Sequence, residues 1–441
     1  LTLPALPTRL RDGKQKIGVH PMINLKRFQF LKVKTPARLE GVTDVDEPSE
    51  VPATAGDLPP EAVREIWKAV EDLYRSGAYP GLSFCLRRRG QVLLNRSLGH
   101  ARGNGPLESV RAEKQRLTTG TPICLFSASK AVTAVLTHTL AEDGAIDLDM
   151  PVARYLPEFG ANGKSGTTLA QVLAHRGGFP TLDLPVGDLE PELLMDWDRV
   201  IKMICDAPPT RGRANRMSYH AVTGGFILAE VIQRVTGAPV QNYLDERLRK
   251  PLGMKYFRYG VEPQYRDQVA LNYAAGTPVR FPISKIVERA LMAPMDRVIE
   301  VSNSDVFMEA VIPAGNIYST AEELSRFYQL LLDGGVYAGK QVLKPETVLR
   351  AVRPASGLAF DRTLNIPMMY SEGLMLGASP VGIFGPMTAG AYGHLGFMNI
   401  LGWADPARDI SVGLLVTGKA VLGGHLISLI KLLTAISSRC R

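Results

Sequence analysis

The sequence predicts an α+β protein: an antiparallel sheet flanked by helices, with a mostly helical domain inserted between its strands. Three observations predict it. Strand-like segments with short turns between them lie near both ends of the chain, at residues 82–98 and 370–417. The stretch between them carries one helical pattern after another. No internal repeat of 20–50 residues is visible, which excludes solenoids and propellers.

The bulk composition fits that class. The chain has 441 residues, 45% of them hydrophobic and 21% charged. That is ample for a large core and amounts to roughly two to three domain equivalents. The net charge is +8, but the excess is not gathered on a basic helix with interleaved aromatics, so nucleic-acid binding is not expected. Part of it lies near the start, at Arg9, Arg11, Lys14, Lys16, Lys26, Arg27, Lys32, Lys34 and Arg38. A solvated tail is the simpler reading there, and a weak electrostatic contact with an acidic membrane surface is the alternative. Cys85, Cys124, Cys205 and Cys440 show no metal-ligand or Cys-x-x-Cys spacing. Cys85 and Cys124 sit in apolar runs and read as buried thiols. With no signal-peptide h-region in the first thirty residues and no apolar run of about 18 residues, the expected location is cytoplasmic. The sequence assigns no oligomeric state.

Taken in order, residues 1–57 lack periodicity, are broken by prolines and read as an extended N-terminal arm. Leu58-Pro59-Pro60-Glu61 opens a helix with Val63, Ile66, Val70 and Leu73 near helical spacing, closed by Gly77 and Pro80. Residues 82–86 and 92–98 form a hairpin through Arg89-Gly90-Gln91. A buried helix follows Ser127 and ends at Gly144. Residues 168–175 read as a helix capped at Thr167 or Thr168, and further helices are expected at 190–205, 221–236 and 240–248. Residues 281–295 form an apolar, proline-broken patch that reads as a lid or a covered insertion. Ser319 or Thr320 caps the next helix, whose first turn is acidic. Strands at 370–376, 391–394, 397–404 and 410–417 and a helix at 422–437 finish the chain. The expected partition is a sheet domain of residues 58–125 and 310–441, and a helical domain of residues 126–309.

The chemistry centres on Ser127-Ala128-Ser129-Lys130. A serine and a lysine one turn apart lie on one helical face. A serine at a helix start has free backbone N–H groups and a favourable dipole for a developing oxyanion. A desolvated lysine loses its proton near neutral pH and serves as a base. The spacing alone is weak: Ser428-Leu429-Ile430-Lys431 repeats it in the last helix. Two other sites separate the first pair from the second. Tyr219, in Met217-Ser218-Tyr219-His220-Ala221, stands before an apolar helix, where its phenol projects as a second base if cations lower its pKa from about 10. His394, in Tyr392-Gly393-His394-Leu395-Gly396-Phe397, lies on a strand whose glycines suit close approach of a ligand. The Phe397 N–H there completes an oxyanion hole with the Ser127 N–H.

In this order, Ser127-x-x-Lys130, Tyr219 and His394-x-Gly396 resemble the serine beta-lactamase and penicillin-binding-protein superfamily. The likeness is greatest to the branch holding class C beta-lactamases, family VIII carboxylesterases and D-aminopeptidases. Leu173-Ala174-His175-Arg176-Gly177-Gly178-Phe179, Pro251-Leu252-Gly253-Met254 and the stretch from Pro313 to Leu324 resemble it as well, so the similarity spans about residues 60–437. It implies a beta-lactamase/transpeptidase-like fold. It also implies Ser127 as the acylated nucleophile, Lys130 as its base, Tyr219 as second base and proton relay, and oxyanion donors at Ser127 and Phe397. Two positions depart from the pattern. The Tyr-x-Asn triplet is Tyr219-His220-Ala221, and Lys-Thr-Gly is His394-Leu395-Gly396. These losses favour esters over beta-lactams. The expectation is therefore a serine hydrolase cleaving carboxylic esters, with a small-molecule ester or amide as substrate and no metal or organic cofactor. Beta-lactamase, D-amino-acid peptidase and acyltransferase activities are its rivals within the fold, and a non-catalytic binding or scaffold protein is the rival outside it.

Overall fold

The computed structural model describes residues 31–179, 181, 191–210, 212 and 215–441. Strands from both ends of the chain meet in one antiparallel sheet. Across it the order is Thr43–Val45, Gln91–Arg102, Gly81–Arg88, Ile410–Val416, Leu401–Asp405, Tyr392–Leu395 and Met375–Leu376. The hairpin between Gly81–Arg88 and Gln91–Arg102 forms because Arg89 (φ 50°) and Gly90 (φ 73°) both take the left-handed conformation that matches strand twist. The helix Ala321–Leu332 packs against the sheet centre. Gly402 makes room for it: a Cβ there would lie 2.5 Å from the Tyr328 ring. Pro60–Arg75 and His425–Arg439 pack on each other, and the former also rests on Gln91–Arg102.

Local signals set several boundaries. Thr168 accepts from the Gln171 N–H while the Gln171 side chain accepts from the Thr168 N–H, a capping box that starts the helix Leu169–Leu173. Thr320 and Glu323 repeat the device at Ala321–Leu332. The strand expected over residues 397–404 begins only at Leu401, because Met398 (φ 52°) and Asn399 (φ 75°) turn the chain first. That expected over residues 370–376 is reduced to Met375–Leu376. All four cysteines are buried free thiols.

Residues 31–57 of the expected extended arm are tied to the rest of the fold. Leu31 pairs with Gly276, the Val33 N–H bonds to the Gly77 carbonyl, and Thr43–Val45 covers an edge of the sheet. Glu50 grips Arg96 through two hydrogen bonds and also accepts from the Asn95 N–H. Pairing satisfies backbone groups that a bare edge would expose. The basic residues Arg9 to Arg27, and the expected helix start at Glu190, lie outside the described residues.

Between Phe126 and Glu309 the described residues are mostly helical. Two short strands tie this stretch back to the sheet side. Arg258–Tyr259 pairs with Ile317–Ser319, and Tyr273–Ala274 pairs with Gly418–Lys419. The patch at 281–295 folds largely as the helix Ile283–Leu291, followed by Met295–Ser302. No helix among the described residues is long and apolar enough to cross a membrane.

Candidate active site

Ser127 sits in the 3-10 turn Phe126–Ala128, which feeds directly into the helix Ser129–Glu142. The turn is held in an unfavourable conformation, with Phe126 at φ 46°. Contacts to its ring hold it there: Phe397 at 5.2 Å, Phe307 at 6.5 Å and Lys419 Nζ at 4.8 Å. Ser129 secures the helix start by accepting the Ile317 N–H at 3.0 Å.

Lys130 Nζ lies 2.9 Å from Ser127 Oγ and 2.8 Å from the Ala314 carbonyl oxygen. The ammonium donates to both; once deprotonated, Nζ is placed to accept the Oγ proton. Lys130 is 6% exposed, and among the described residues it forms no ion pair. Burial pushes it down to about 7.

Tyr219 is buried just ahead of the helix Thr223–Thr236. Its phenol lies close enough to Ser127 for that hydroxyl to favour the phenolate, and Lys130 Nζ stands 5.0 Å over its ring. Burial pushes the phenol well up, the Ser127 hydroxyl opposes this, and the Asp361 carboxylate adds to the rise. The cationic surroundings that a phenolate base needs are thus outweighed, and Tyr219 keeps its proton.

His394 lies 6.2 Å from Tyr219, ring to ring. Its Nδ1 is 2.7 Å from the Leu395 carbonyl. A carbonyl only accepts, so the bond assigns the proton to Nδ1 and leaves Nε2 as an acceptor. Nε2 is buried and has no partner among the described residues. Burial, reinforced by Lys130, pushes His394 down to about 3. A neutral acceptor therefore stands here, and no fixed cation.

Gly396 joins this strand to the Ser127 turn. Its N–H is taken by the Ile400 carbonyl at 2.8 Å, and a Cβ there would lie 2.3 Å from the Leu125 carbonyl oxygen. Phe397 and Ser127 then face one apolar pocket of about 80 Å³, with Phe126, Ala221, Val222 and Phe307 on its walls. Residues 290–293 close another side, which brings the 281–295 patch to the cleft. Ala221, which replaces an asparagine amide of the resembled pattern, is part of this apolar wall.

The fold thus brings Ser127, Lys130, Tyr219, His394, Gly396 and Phe397 together. Sequence reasoning missed Asp361, whose side chain accepts the Tyr219 N–H, because residues 335–369 offered no motif. It also gave no role to His175, which accepts the His220 N–H and packs 4.8 Å from Tyr219. The lone Lys419 in an apolar stretch was the one available signal for the Phe126 contact.

The sequence matches the family described as Beta-lactamase over residues 63–430. The chain belongs to the beta-lactamase family. Within it, the chain is 30% identical over 303 residues to the esterase/beta-lactamase LipL of Mycobacterium tuberculosis, covering 66% of this chain and 68% of that one. Its fold is similar to that of a penicillin-binding-protein homologue from Caulobacter crescentus (TM-score 0.72, 25% identity, 87% of this chain and 98% of that one). It is equally similar to a family VIII carboxylesterase (TM-score 0.72, 24% identity, 86% and 98%). Like others of the beta-lactamase family, the protein is a serine hydrolase.

Proposed function

We propose that the protein hydrolyses carboxylic esters of apolar acids through an acyl-enzyme on Ser127. Neutral Lys130 takes the Oγ proton as Oγ attacks the ester carbonyl, and the Ser127 and Phe397 N–H groups receive the oxyanion. The Tyr219 phenol protonates the departing alkoxide and recovers its proton from the Lys130 ammonium. Water then attacks the acyl-enzyme, Lys130 takes its proton and passes it to the departing Ser127 oxygen, which restores the serine and the neutral lysine.

The observation that carries this reading is a serine 2.9 Å from a lysine poised near neutrality, opening on an apolar pocket. The choice of ester over beta-lactam rests on Ala221 and on neutral His394, which supply neither the amide nor the cation that a beta-lactam's side chain and carboxylate would meet. The printed name of the LipL relative, esterase/beta-lactamase, is consistent with either activity. The test is direct comparison of p-nitrophenyl esters of increasing chain length with nitrocefin. Esters are expected to exceed nitrocefin in kcat/KM by about 100-fold or more, roughly the energy of one lost buried polar contact. Comparable turnover of nitrocefin would reverse the assignment.

A further inference from the structure

Asp361 ends the strand Ala359–Asp361, paired with Ile366–Met368 in a small hairpin apart from the main sheet. It is fully buried, and among the described residues no cation pairs with it. Its carboxylate is instead held by hydrogen bonds. Oδ1 accepts the N–H groups of Thr363 at 2.8 Å, Leu364 at 2.9 Å and Tyr219 at 3.2 Å. Oδ2 accepts the Tyr370 hydroxyl at 3.0 Å. Two of these bonds close the hairpin's own turn. The third reaches 142 residues back along the chain to the backbone of Tyr219. Beside it the Arg362 N–H bonds to the Met217 carbonyl at 3.1 Å, so the hairpin grips the segment at two points, two residues apart. Tyr370 also packs its ring 4.7 Å from His175, which packs on Tyr219 in turn.

A buried carboxylate without a cation is costly unless its lone pairs are filled. A plain hairpin turn is served as well by asparagine or serine. We infer that Asp361 is a positioning residue for Tyr219: it fixes the backbone from which the phenol reaches Ser127. The carboxylate also adds to the effect of burial on that phenol. The inference rests on the roles given to Ser127, Lys130 and Tyr219 above.

Misplacing a reacting group by about 1 Å costs roughly 100-fold in rate. Asp361→Ala is therefore expected to lower kcat by about 10- to 100-fold while KM for a p-nitrophenyl ester stays within about threefold. Asp361→Asn keeps an Oδ1 acceptor for the three N–H groups and is expected to retain kcat within about fivefold. The deciding measurement is a double-mutant cycle. In the Tyr219→Phe background, Asp361→Ala should cost less than about threefold further, because the group it positions is already gone. Losses that multiply across the two substitutions would overturn the inference, as would wild-type kcat in Asp361→Ala or an Asp361→Asn as impaired as the alanine variant. If Asp361→Ala does not fold, Tyr370→Phe replaces it in the same cycle. It removes only the Oδ2 bond and should cost about two- to fivefold in kcat, again vanishing in the Tyr219→Phe background; a multiplying loss there overturns the inference too. A Tyr219→Phe enzyme with full activity would break the functional reading itself, so the two failures are distinct.

Discussion

The chain holds two Ser-x-x-Lys pairs in helical segments, and they differ in everything but spacing. Ser127 and Lys130 stand where a strained turn meets a buried helix, and Lys130 is enclosed by Tyr219, the Ala314 carbonyl and His394. Ser428 and Lys431 lie on the last helix, with Lys431 exposed beside the equally exposed Ile427 and Ile430. An ammonium in water keeps its proton at neutral pH. The same group without water loses it, because burial penalises the charged form. What makes the first pair chemical is the removal of solvent, which spacing does not encode.

The largest expected effect is on that contrast itself. Ser127→Ala should lower ester turnover by about 10³-fold or more and abolish labelling by a fluorophosphonate probe. Ser428→Ala should leave kcat within about twofold. Equal losses at both serines would erase the distinction.

The lysines sharpen it further. Lys130→Met should cost about 10²- to 10⁴-fold in kcat/KM, and Lys431→Met almost nothing. In the wild type kcat/KM should rise with pH and level off above about 7, since the base works when neutral. Stability should also rise with pH, but over a higher window. Lys130 is lowered from 10.5 to about 7 on folding, so between those pH values the unfolded chain binds the extra proton. Stability therefore falls as pH drops through that window, and the penalty is complete below about 7. Its size is on the order of 5 kcal/mol before lost hydrogen bonds are counted. Lys130→Met is thus expected to melt above wild type at pH 6, with the gain fading toward pH 10. Thermal melts across that range check it; a gain that does not depend on pH would mean that Lys130 is not held neutral.

The smallest effect concerns the pocket beside the first pair. Ala293→Phe should fill part of the cavity next to Ser127. Hydrolysis of p-nitrophenyl hexanoate should fall by about 10-fold or more, since each methylene in an apolar pocket is worth roughly that much. The acetate should stay within about threefold. A uniform loss on both esters would place the acyl chain elsewhere.

Much of the frame is legible in the sequence because its causes are local. Thr168 with Gln171 and Thr320 with Glu323 announce helix starts through bonds within one turn. Arg89-Gly90 announces a hairpin through two backbone angles. Order along the chain suffices to bring Ser127, Tyr219 and His394 under suspicion together. The attachment of the arm is illegible for the opposite reason. Residues 31–57 carry no periodicity of their own, and their partners at Gly77, Asn95, Arg96 and Gly276 are distant in sequence. Asp361 was illegible likewise: an aspartate in a turn is commonplace, and only its bond to Tyr219 sets it apart.

By itself, then, the sequence determined which reacting groups are present, in what order, and on which local elements they ride. The tertiary structure decided their chemical state. Burial pushes Lys130 down to about 7, the Tyr219 phenol up and His394 down, and an apolar wall stands opposite Ser127. Residue type and spacing are properties of the chain. Desolvation and long-range contact belong to the space the chain encloses, and they fix where the protons sit.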